Sequence, residues 1–180
     1  MRELSLHIMD IVENSLGAGA SLIEVSVLED RSAKRLEIRV KDNGRGIPAH
    51  LLAAVTNPFF TTRTTRRVGL GLSLLKEAAK RCNGEFAVRS TEGEGTEVCA
   101  TFERNHIDLA PMGDVGGSLT GLMLGNPEVD FLYRHEVDGR AFILDTREVK
   151  RELEDVPIDR PEVIMHLCRM IRESVAELQA

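Results

Sequence analysis

Apolar positions recur along the chain at two periods, and the changes from one period to the other outline its elements. Leu4, Ile8, Ile11 and Ser15 fall on one helical stripe, with Met9, Val12 and Leu16 beside it, which predicts a helix over residues 3–18. Two alternating runs follow. Ile23, Val25 and Val27 share one face, and so do Leu36, Ile38 and Val40 after the polar turn Glu29–Lys34. A glycine-bearing loop, Asp42–Ile47, leads to a short helix opening at Pro48. Residues 56–68 are rich in Thr and Arg without a clean period and are expected to form a mobile loop. A helix is predicted over 70–82, stopped by Asn83-Gly84. Two more strands follow, one carrying Phe86 and Val88, the other Val98, Ala100 and Phe102, with a turn at Glu92–Gly95 between them.

Beyond residue 105 the pattern changes. His106–Gly113 reads as a loop, and Asp114 is placed to cap a short helix ending at Gly125. Residues 129–137 and 140–145 read as a hairpin closed by Asp138-Gly139, which suits a type I′ turn. Helices over about 146–154 and 161–178 finish the chain, the second opened by Asp159 with Pro161 just inside. The order is α-β-β-α-α-β-β, then α-β-β-α-α. Strands arriving in adjacent pairs favour an α+β fold with antiparallel hairpins over a doubly wound parallel sheet. Two units are expected, residues 1–105 and a C-terminal extension of residues 106–180.

Composition narrows the function classes. The 180 residues are 42% hydrophobic and 29% charged, an ordinary globular balance. Twenty-three basic against 29 acidic residues leave a net charge of −6, which argues against a nucleic-acid-coating role. No apolar run is long enough for a membrane span, and the start lacks a basic region followed by an apolar core. Cys82, Cys99 and Cys168 are an odd, widely spaced set that fits reduced thiols, so a cytoplasmic setting is expected.

Three segments concentrate candidate chemistry. Asp42-Asn-Gly-Arg-Gly-Ile47 follows a strand, and its glycines would let backbone approach a flat ligand while the acid accepts from an amine; a plain turn is the alternative. Arg67-Val-Gly-Leu-Gly-Leu72 runs into a helix, where amides can face a phosphate. It is not a dinucleotide fingerprint, since no strand precedes it and Ser73 and Leu74 stand where a third glycine would fall. On the first helix Asp10 and Asn14 are one turn apart, about 5–6 Å, and could hold magnesium and orient a hydroxyl; a solvated stripe is the alternative.

In this order, the motifs resemble the GHKL ATPase family of gyrase, heat-shock chaperone, histidine kinase and mismatch-repair ATPases. Asn57-Pro-Phe-Phe-Thr-Thr-Arg63, Gly69-Leu-Gly-Leu-Ser73 and Gly95-Thr96 are most like the histidine-kinase catalytic domain. Glu13-Asn-Ser-Leu-Gly-Ala-Gly-Ala20 is more similar to the mismatch-repair branch, with Gly17 in place of an Asp. The resemblance spans residues 5–103 and implies a Bergerat-type α/β sandwich, a mixed, mainly antiparallel sheet covered by helices. It implies ATP and magnesium as ligands. Asn14 would hold the metal, and Asp42 would accept from the adenine amine beside Gly44 and Gly46. Thr96 would support the adenine end through water. Gly69, Gly71 and Arg63, with Arg66 or Arg67, would serve the phosphates under a lid anchored by Phe59 and Phe60. Hydrolysing members carry Glu as general base where this chain has the shorter Asp10; Glu13 ranks second, about 100° round the helix from Asn14.

Three functions follow from the resemblance. The first is transfer of the γ-phosphate to an unidentified protein partner; the second, an ATP-hydrolysing switch; the third, a nucleotide-gated binding module. His7 lies beside the site and is expected to be a packed or surface residue rather than a phosphoacceptor. The apolar stripe Val163, Leu167, Met170, Ile171 and Leu178 is expected to dock onto its own domain, with a homodimer or partner surface as the alternative.

Overall fold

The computed structural model describes residues 3–56 and 71–180. The first alternating run forms β1 (Leu22–Asp30), which pairs antiparallel with β2 (Arg35–Asp42). The next hairpin is β3 (Phe86–Thr91) and β4 (Gly95–Glu103), joined to the first through an antiparallel β2–β4 contact. The last hairpin is β5 (Asp130–Val137) and β6 (Arg140–Asp145); Asp138 at φ 50° and Gly139 at φ 83° turn it as expected. β5 lies parallel to β1, so one six-stranded sheet of order β3-β4-β2-β1-β5-β6 runs through both segments of the chain. The expected α+β class holds, with a mainly antiparallel sheet and one parallel junction.

Period-two alternation gives this sheet two unlike faces. Val88, Val98, Val40, Val25, Tyr133 and Leu144 form one cross-strand row of the inner face. The opposite face carries paired charges, such as Arg39 with Glu37 at 2.7 Å and Lys41 with Glu24 at 3.9 Å. Among the described residues, α-helices pack against the apolar side of the sheet.

α1 (Leu4–Gly17) buries Leu4, Ile8, Ile11 and Ser15, the stripe read from the sequence. Burial of each large apolar side chain contributes about 1.5–3 kcal/mol. Its first amides would be orphaned, as no side chain caps them. Leu4 N–H and Ser5 N–H instead donate to Pro111 O and Met112 O at 2.9 and 2.8 Å, so the loop after β4 completes the helix start. The short α2 (Ala49–Leu52) follows Pro48, and α3 (Gly71–Arg81) packs against α1 and ends at Asn83 in a left-handed turn, φ 54°.

α4 (Val115–Gly125) is capped by Asp114, which accepts from Gly117 N–H at 2.9 Å and ion-pairs with Arg172. Arg172 belongs to α6 (Pro161–Gln179), which follows α5 (Thr146–Leu153) and packs on α4, β5 and β6. Leu167, Ile171 and Leu178 are buried, so the stripe docks onto its own fold. The N-cap of α6 is Arg160, without a side-chain cap, rather than Asp159; Pro161 still stands in the first turn, where its missing N–H costs nothing. No described helix is long and apolar enough to cross a membrane.

Candidate functional site

The inner rows of β2, β3 and β4 are apolar until they reach one end of the sheet, where they turn polar. Leu36, Ile38 and Val40 lead to Asp42; Phe102, Ala100 and Val98 lead to Thr96; Phe86 and Val88 lead to Ser90. Register makes Ser90, Thr96 and Asp42 neighbours in a single row. Asp42 is only 8% exposed. Its Oδ2 accepts from the buried Ser15 hydroxyl at 2.6 Å, and its Oδ1 from Gly44 N–H at 2.9 Å. Ser15 Oγ also lies 3.3 Å from Ile11 O, but its one proton serves the closer, charged acceptor. Among the described residues no basic side chain pairs with Asp42.

The loop after Asp42 is fastened at several points. Asn43 Oδ1 accepts from the Ser21 and Leu22 amides at 2.9 Å. Arg45 N–H donates to Ala18 O at 3.0 Å, and Gly93 N–H donates to Arg45 O at 2.7 Å. A Cβ on Gly44 would stand 2.9 Å from Ala18 Cβ. One on Gly46, at φ +70°, would stand 2.1 Å from Thr91 O, so only glycine fits there. Ile47 N–H then donates to Ser90 Oγ at 2.8 Å.

On α1, Asn14 is exposed, and Asp10 and Glu13 are half-buried. Gly71, the first residue of α3, lies against Asp10: a Cβ there would be 3.3 Å from Asp10 Cβ and 3.5 Å from Oδ2. The fold thus brings Asp10, Gly71, Asp42, Gly44, Gly46 and Thr96 to the α1 side of one sheet end. Arg63 and Gly69 lie outside the described residues, as do Phe59, Phe60, Arg66, Arg67 and most of the expected loop. His7 is 4% exposed, and burial pushes its imidazole down to about 4, which keeps it a neutral packed residue. The three thiols are unpaired, and burial pushes those of Cys82 and Cys99 up, so they stay protonated. Among the described residues no three His, Cys, Asp or Glu side chains cluster as a metal site.

Sequence reasoning singled out neither Ser15 nor Ser90 as part of the site. Each had a signal, a hydroxyl on an otherwise apolar face, where burial demands a partner.

Residues 2–106 match the family described as histidine kinase-, DNA gyrase B- and HSP90-like ATPase. The chain belongs to this family. It is similar to a protein of Shewanella frigidimarina named as a sensor protein, 32% identical over 103 residues, covering 56% of this chain and 16% of that one. Sensor protein kinase WalK of Staphylococcus haemolyticus is 31% identical over 106 residues, 55% of this chain and 17% of WalK. The chain therefore spans only about a sixth of these relatives. Among solved structures, the Aquifex aeolicus MutL ATPase domain complexed with ADP shares the fold, at TM-score 0.53 and 21% identity over 83% of this chain and 68% of that one. The N-terminal domain of a DNA repair protein does so at TM-score 0.57 and 17% identity, over 81% and 53%.

Proposed function

We propose that this GHKL protein binds ATP with magnesium and passes the γ-phosphate to a protein partner in a regulatory system. The observation that carries the nucleotide reading is Asp42, a buried carboxylate held by two neutral donors and facing no described cation. A carboxylate has lone pairs beyond those two bonds, and an exocyclic amine is the donor that suits them. Gly44 and Gly46 let the loop close against Ala18 and Thr91 beside the proposed base site, and Thr96 stands next to Asp42 in the row.

Asn14 offers an exposed oxygen one turn from Asp10, a donor set that fits a cation taking one or two protein oxygens and completing its shell with phosphates and water. Magnesium would supply charge neutralisation there. Arg63, Gly69 and Gly71 are proposed for the phosphates. Likeness to sensor proteins favours transfer to a protein; Asp10 against the start of α3 favours a second reading, slow hydrolysis with Asp10 taking a proton from water and Glu13 in reserve. We place the reaction in the cytoplasm, where unpaired thiols and ATP coexist.

The test is purified protein with magnesium and γ-labelled ATP, alone and with candidate partners, following protein-bound label and free phosphate. Label on protein that disappears in Asn14→Ala supports phosphotransfer. Free phosphate alone, lost in Asp10→Asn, selects hydrolysis. Intact nucleotide under every condition overturns both.

A further inference from the structure

We propose that Ser90 is a positioning residue that turns the Thr96 hydroxyl into a pure hydrogen-bond acceptor and so helps the site prefer a 6-amino over a 6-oxo purine. The inference rests on the nucleotide reading above. Ser90 Oγ has three partners: it lies 2.8 Å from Gly95 O, accepts from Ile47 N–H at 2.8 Å, and sits 2.8 Å from Thr96 Oγ1. A hydroxyl has one proton and two lone-pair sites. A carbonyl oxygen only accepts, so the Ser90 proton belongs to Gly95 O. The Ile47 amide only donates, which occupies one lone pair. The remaining contact has one direction, Thr96 O–H donating to Ser90 Oγ.

This uses the only proton Thr96 has. Toward a ligand, Thr96 then presents lone pairs, as the Asp42 carboxylate beside it does. Two neighbouring acceptors match the two hydrogens of a 6-amino group and repel a 6-oxo oxygen. Gly95, at φ +126°, packs closely against Asp42 O, where a Cβ would stand 1.9 Å away. Without the Ser90 oxygen, the Thr96 proton loses its partner and is free to turn toward the base, where it serves a 6-oxo group.

The experiment is equilibrium binding of ATP and inosine triphosphate, each with magnesium, to the full chain and to S90A, S90C and S90T. Loss of the Ile47 bond loosens the loop and weakens both nucleotides alike, so the ratio of the two affinities is the readout a merely structural role leaves unmoved. The preference for ATP is expected to narrow about two- to tenfold in S90A, the effect of one hydrogen bond. S90C, close in size but with a weak sulfur partner, narrows it too and stands in if S90A does not fold. S90T keeps the hydroxyl and the wild-type ratio. Where the wild-type chain binds ATP, an unchanged ratio in S90A or S90C, whatever their absolute affinities, overturns this inference alone; a wild-type chain that binds neither nucleotide overturns it together with the nucleotide reading.

Discussion

Asp42 shows how much one buried carboxylate can be asked to do. Leaving a charge at 8% exposure is costly unless hydrogen bonds replace water, and Ser15 and Gly44 supply two of them. Asp42→Asn keeps an oxygen for the Gly44 amide and nearly the same volume, so the fold is expected to survive with a small change in melting temperature. What the variant loses is the charged acceptor for an amine. Hydrogen bonds to charged groups contribute about 1.5–3 kcal/mol, so ATP affinity should fall about ten- to hundredfold. Calorimetric titration of the folded variant checks this, and an unchanged affinity would remove Asp42 from the base site.

At the scale of elements, helices and hairpins were legible because side-chain period reports which face is buried. The stripe Leu4, Ile8, Ile11 and Ser15 and the alternating triplets of β1 and β2 all face the core as expected. The glycine loop and its acid were legible as a motif. The partners were not: a polar residue on an apolar face announces that it needs one, but Ser15 finds Asp42 27 positions away and Ser90 finds Ile47 43 away. Nor does period say which strand lies next to which, so the parallel join of β1 to β5 had no local signature. Helix packing gives a further check. A Cβ on Gly116 would stand 3.1 Å from Cys168 O, whereas Gly121 in the same helix has open space around it. Gly116→Leu should push α4 off α6 and cost about 1–3 kcal/mol. Gly121→Ala should instead stabilise by up to about 1 kcal/mol through helix propensity. Denaturant unfolding of the two variants should move in opposite directions; a shift of both the same way would contradict this packing.

At the scale of the whole molecule, a polar cluster joins the family-matching segment to the chain beyond it. Glu29 on β1 is 6% exposed. It accepts from His135 Nε2 on β5 at 3.1 Å, from Arg104 Nε after β4 at 3.1 Å, and from Gln179 Nε2 at the end of α6 at 3.3 Å. Tyr133 Oη lies 2.7 Å from the other imidazole nitrogen, and burial pushes its phenol up. The hydrogen bond from His135, reinforced by Arg104 and Gln179 against the cost of burial, pulls the Glu29 carboxyl down to about 2 from 4.5. A carboxyl depressed by folding stabilises the native state fully above its unfolded value, and that contribution disappears as pH falls through its folded value. The loss attributable to Glu29 therefore lies between about pH 4.5 and 2, and amounts to about 3 kcal/mol. His7, lowered from 6.5 to about 4, adds an earlier loss between those values, since its charged form is disfavoured in the fold. Glu29→Gln cannot ionise. It should lower stability at neutral pH and flatten the decline between 4.5 and 2, while leaving the His7 window in place. Because Glu29 ties strands β1 and β5 to the last helix, the variant should weaken the union of residues 1–105 with 106–180 as one cooperative unit. Chemical unfolding across pH, followed by circular dichroism, measures both effects; a decline below pH 4.5 as steep as in the unmodified chain would mean that another carboxylate carries the acid sensitivity.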